Sequence, residues 1–102
     1  MAQISEKEAK TSIDKVVAAL RKDKTANAEL GRLDQIQNVL GFGSPSPNSV
    51  AVRFNASFRK GGKERGTMVG QVKAAVDSKT GKITSCSVFR DLGYGRSFNL
   101  KV

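Results

Sequence analysis

Residues 50–59, Val-Ala-Val-Arg-Phe-Asn-Ala-Ser-Phe-Arg, alternate apolar with small or polar side chains without a break. A period of two belongs to a β-strand, whose successive side chains point to opposite faces. One face of this strand carries Val50, Val52, Phe54, Ala56 and Phe58, and the other carries Arg53, Asn55, Ser57 and Arg59. The strand is therefore half-buried. The sheet that contains it needs a cover on one side and leaves the other side open.

Toward the C-terminus the pattern continues. Residues 60–66 form a glycine-rich, charged connection, and a second strand over about 67–77 places Met68, Val72, Ala74 and Val76 on one face. Asp77-Ser78-Lys79-Thr80-Gly81-Lys82 reads as a hairpin turn, with Gly81 free to adopt positive φ. Pairing Asp77 with Lys82 puts Val76 opposite Ile83 and starts a third strand over about 82–90. Gly93-Tyr94-Gly95 loosens the chain before an edge strand over about 97–102, which carries Phe98, Leu100 and Val102 on one side.

Toward the N-terminus, Pro45 and Pro47 in Gly41–Ser49 (GFGSPSPNS) mark the clearest break. Before it, Leu30, Leu33, Ile36 or Gln37, and Leu40 recur at steps of three and four, which predicts a helix over about 26–40 with Gly41 as its stop and Gly31 in its interior. Ser5 with Glu8 matches a capping box, and Ala9, Ile13, Val16, Val17 and Leu20 form one helical stripe, which predicts a first helix over about 5–23. The expected fold is α+β: an N-terminal helical hairpin packed on one face of a three- to four-stranded antiparallel β meander. Its 102 residues suit one domain, with a helical half (5–40), a linker (41–49) and a β half (50–102).

Charge divides at the same linker. Residues 1–49 hold seven basic and six acidic side chains, a net of +1, whereas residues 50–102 hold eleven basic and three acidic, a net of +8. Strand alternation assigns Val50, Val52, Phe54, Phe58, Met68, Val72, Val76, Ile83 and Phe89 to the covered face. The open face collects Arg53, Arg59, Lys73, Lys82 and Arg90 among Asn55, Ser57, Gln71 and Thr84, with Asp77 as its one acid. Lys60, Lys63, Arg65 and Arg96 fall on the flanking loops. A basic sheet face framed by glycine-rich loops suits a phosphate backbone, because lysine and arginine neutralise phosphates and release counterions. Tyr94 and Phe98 are the aromatic residues available for base stacking.

Two local resemblances bear on this. Gly93-Tyr94-Gly95 is similar to the Gly-aromatic-Gly centre of the RNA-recognition-motif signature, although Arg96 and Ser97 stand where that signature has Phe and Val. Ile36–Pro45 loosely resembles the turn region of winged-helix repressors, which would make residues 49–60 a recognition helix. The β-branched alternation of Val-Ala-Val-Arg-Phe-Asn favours a strand there.

Composition narrows the chemistry. The chain has no histidine, the commonest general acid–base group, and its single cysteine, Cys86, admits neither an intrachain disulfide nor a cysteine-based metal site. Thr80-Gly81-Lys82-Ile83 lacks the Ser/Thr that ends a phosphate loop. No apolar run approaches a membrane span, and residues 1–10 carry no apolar leader, so an intracellular (cytoplasmic) setting is expected. The expectation is a non-enzymatic binding module with no cofactor, no metal and no membrane association. It binds nucleic acid through Arg53, Arg59, Lys60, Lys63, Arg65, Lys73, Arg90, Tyr94 and Arg96. The alternative partner is an acidic protein, for which Val69, Val88 or Tyr94 would act as apolar anchors. Unpaired strand edges leave room for a homo-oligomer.

Overall fold

The computed structural model describes residues 5–60, 66–90 and 97–100. Two helices, α1 (Glu6–Lys22) and α2 (Lys24–Leu30), precede five strands: β1 (Arg32–Gly43), β2 (Ser49–Lys60), β3 (Gly66–Asp77), β4 (Ile83–Arg90) and β5 (Ser97–Asn99). The strands form one antiparallel sheet in the order β1-β2-β3-β4-β5, a simple meander, with the helices against one face. The α+β class and the antiparallel meander agree with the sequence reading, with five strands rather than three or four.

α1 begins where its cap predicts. The Glu8 backbone N–H donates to Ser5 Oγ at 3.2 Å, and Arg21 and Lys22 lie in the last turn, where positive charge complements the helix dipole. Its stripe is buried as Ala9, Ser12, Ile13, Val16, Val17 and Leu20. Of these, Ile13, Val16, Val17 and Leu20 meet Val50, Val52, Phe54, Ala56 and Phe58 of β2 in one core with Val72, Ala74, Val76, Cys86 and Val88. Phe54 and Phe58 are among its largest fully buried side chains. Residues 49–60 are thus strand, and the recognition-helix alternative falls away.

The second helix is much shorter than the predicted 26–40. Asp23 caps it by accepting from the Ala26 N–H at 2.8 Å, and Gly31 ends it at φ 92°, ψ 173°, a conformation essentially restricted to glycine. There is no room for a side chain at Gly31 either: a Cβ would lie 2.7 Å from the Arg59 carbonyl carbon and 2.8 Å from its oxygen. Gly31 is therefore the joint that turns the chain into β1 and lays it against the end of β2.

Residues 32–40 carry a helical spacing because β1 is bulged three times. Its register against β2 slips between Leu33 and Gln35, between Ile36 and Asn38, and between Val39 and Gly41. Each bulge adds a residue, so Leu33, Ile36, Val39 and Phe42 share a face at steps of three, opposite Phe58, Ala56, Phe54 and Val52. A three-residue step imitates a helical stripe. The proline segment is correspondingly shorter than a linker between two halves: it is the bend between β1 and β2, with Asn48 at φ 62°.

One further bulge changes which residues face the open side. Val76 pairs with Ile83 as expected, but Ala75 pairs with Ser85, so Thr84 is the extra residue. The parity of β4 flips after it. Cys86 and Val88 turn into the core, and Ser85, Ser87 and Phe89 turn out. Phe89, expected on the covered face, therefore pairs with Gln71 on the open one. Arg90, expected on the open face, pairs with Gly70 and belongs to the helix side. Among the described residues no helix is long and apolar enough to cross a membrane.

Candidate nucleic-acid interface

The open face is built in rows that run across the strands. The first row is Gly41, Arg53, Lys73, Ser87 and Asn99, and the next is Asn38, Asn55, Gln71, Phe89 and Ser97. Arg53 and Lys73 are direct cross-strand partners and both are exposed. Like charges so placed repel, and the sheet gains nothing from them. Neither has an acidic partner among the described residues, and Asp34 is paired instead with Arg59. The acid expected on this face, Asp77, is engaged elsewhere: its Oδ1 accepts from the Lys79 and Thr80 N–H groups at 2.8 and 3.2 Å in the hairpin turn.

The surface beside this pair is a shallow trough. Leu40, Gly41 and Gly43 of β1, Ala51 of β2 and the two basic residues line about 280 Å³. Gly41 leaves it open, since a side chain there would meet nothing within 4 Å. Along the neighbouring row lies Phe89, partly exposed, between Gln71 and Ser97, with Asn55 beyond Gln71. Asn55 Oδ1 is buried without a hydrogen-bond partner among the described residues. Ser87 Oγ donates to Asn99 Oδ1 at 2.7 Å, which ties β5 to the sheet at the far end of the basic row.

A second basic group lies at the other end of β2, six residues or about 20 Å along the strand. Arg59 is there, its Nη2 3.5 Å from Asp34 Oδ2, and Arg32 is its cross-strand partner. Arg21 of α1 reaches the same place and donates from Nε to the Leu33 carbonyl at 3.1 Å and from Nη2 to the Asp34 carbonyl at 3.0 Å. Lys60 closes β2 beside Gly31.

Of the residues expected at the interface, the fold brings Arg53 and Lys73 together and sets Arg59 and Lys60 at the far end of the same strand. Arg90 lies on the opposite face. Lys63, Arg65, Tyr94 and Arg96 lie outside the described residues. Phe98, read as a stacking platform, is a core residue, 8% exposed. Arg21, Arg32 and Phe89 were missed. Arg32 becomes visible only once residues 32–43 are recognised as a strand, and no sequence signal announces the bulge that exposes Phe89.

Cys86 is buried, and desolvation pushes its thiol up to about 11, so it stays protonated and unreactive at neutral pH. Comparison with protein-family models, with curated proteins and with solved structures finds no match.

Proposed function

We propose that the protein is a non-enzymatic module that binds single-stranded nucleic acid along the open face of its sheet. The observation that carries this reading is the Arg53–Lys73 pair: two exposed cations held directly opposite one another, without an acid beside them among the described residues. A phosphate between them would relieve the repulsion and release counterions. Phe89, one row away, supports a single strand over a duplex, because an exposed ring stacks on unpaired bases.

The surface is a poorer match for an acidic protein. Val88, one of the anchors such docking would use, is fully buried, and Val69 is partly buried. Among the described residues the large exposed apolar side chains are Ile36, Val39, Leu40 and Phe42 on β1, and of these only Leu40 and Phe42 border the Arg53–Lys73 trough.

The test is fluorescence anisotropy of labelled single- and double-stranded oligonucleotides at about 50 and 200 mM salt. Binding that favours single strands, falls steeply with salt and is lost in Arg53→Glu/Lys73→Glu supports the reading. Absence of binding at the lower salt, or full affinity in the double variant, refutes it.

A further inference from the structure

The cleft at the start of β1 is distinct from the Arg53–Lys73 trough, and its charge differs in kind. Arg21, Arg32, Leu33, Asp34 and Arg59 enclose about 300 Å³. Three guanidinium groups and one carboxylate leave a net charge of +2. Arg32 and Arg59 are cross-strand partners, again like charges directly opposite. They are held there by Gly31, whose lack of a side chain lets the chain pass against the Arg59 backbone.

The arginines are already positioned. Arg21 is fixed by its two bonds to the β1 backbone, which engage two of its five N–H groups. Arg59 is drawn toward Asp34 across 3.5 Å. Forked guanidinium donors in a fixed arrangement match the oxygens of a phosphate, which accepts two parallel bonds from each fork. The charge of the cleft selects the form of that phosphate. A monoester carries a charge of about −1.5 to −2 at neutral pH with three acceptor oxygens, and so balances +2. An internal phosphodiester carries a single negative charge and balances only half of it.

We propose that this cleft binds a phosphate monoester, and that its source is the phosphorylated end of the strand lying on the open face. Arg59 belongs to the open face as well as to the cleft, so a strand passing over Arg53 and Lys73 ends within reach of Arg32 and Arg21. The choice of source rests on the nucleic-acid reading above; the monoester chemistry rests on the cleft alone.

The experiment compares one labelled single-stranded sequence with a 5′-phosphate, with a 3′-phosphate and with hydroxyl ends, at matched ionic strength. One phosphorylated form is expected to bind about tenfold more tightly than the hydroxyl form, the effect of one charge-assisted hydrogen bond. Arg32→Gln is expected to erase that preference, whereas Arg53→Gln weakens all three forms and preserves their ratio. Equal affinity for all three ends overturns the terminal-phosphate proposal and leaves the nucleic-acid reading standing. If none of them binds, the decisive measurement is a titration of the protein with inorganic phosphate, followed through the arginine Nε–H signals at constant ionic strength. Saturable shifts at Arg32 and Arg59 would identify a free phosphate, not a strand end, as the source. Their absence would remove the site altogether.

Discussion

Replacing Gly31 by alanine tests the joint on which both the fold and the arginine cleft depend. At φ 92° and ψ 173° the backbone of Gly31 is in a region that side-chain-bearing residues avoid at a cost of about 1–3 kcal/mol. The new methyl would lie 2.7 and 2.8 Å from the Arg59 carbonyl carbon and oxygen and 2.9 Å from Lys60 Cγ. Lys60 can swing aside, but the Arg59 backbone is part of β2 and cannot yield without loosening its pairing with β1. Such overpacking adds about 1–3 kcal/mol. Together these predict a loss of about 2–6 kcal/mol from a total near 5–10 kcal/mol, and a fall in Tm of about 8 °C or more. Denaturant unfolding followed by circular dichroism measures it, with Gly41→Ala as the comparison. At Gly41 an added methyl meets nothing within 4 Å and the backbone is not left-handed, so that change should be neutral or stabilising by up to about 1 kcal/mol. If Gly31→Ala cost less than about 0.5 kcal/mol, β1 would not be closed on β2 as described. The arginine cleft would lose its basis with it.

Further expectations concern the open face, the edge and the core. Lys73→Glu places a carboxylate opposite Arg53, so it should raise stability by up to about 1 kcal/mol while weakening oligonucleotide binding; if stability fell, the pair would not be in repulsion. Along the edge strand β1, residues 35–43 carry no charge, and Ile36, Val39, Leu40 and Phe42 are 38–48% exposed. Self-association is expected there. Sedimentation velocity should show a concentration dependence that Val39→Lys removes, and its persistence in that variant would exclude β1. Burial raises the Cys86 thiol to about 11, above its ordinary value near 9, so the folded state holds a proton that the unfolded chain releases first. Its stabilising contribution is complete below pH 9 and fades as pH rises to 11, by about 2–3 kcal/mol in all. Stability curves of the parent and of Cys86→Ala should converge over that range, and parallel curves would refute the assignment.

How much was legible followed from how local the signal is. The Ser5 cap, the α1 stripe, the period of two in β2 and β3, and the Asp77–Lys82 hairpin are each decided by residues within a few positions of one another. Each of these appears in the structure close to its predicted bounds. The candidate site was legible as composition: Arg53 and Lys73 alternate with core residues and so had to face outward together once β2 and β3 paired.

What the chain alone could not convey is where the alternation breaks. A bulge is a property of two strands: an extra residue is tolerated because the partner strand accepts the misfit, as the Ser57 side chain does when its Oγ accepts from the Gln35 N–H at 3.3 Å beside the first bulge of β1. Three such bulges gave β1 the spacing of a helix, and one at Thr84 put Phe89 in place of Val88 on the open face. Gly31 carries the same lesson. Its sequence neighbours allow a helix interior, and only the Arg59 backbone pressed against it requires glycine. Local periodicity and capping determined the elements and the sign of the exposed surface. Tertiary pairing decided which arginines meet, because register is set between strands and not within them.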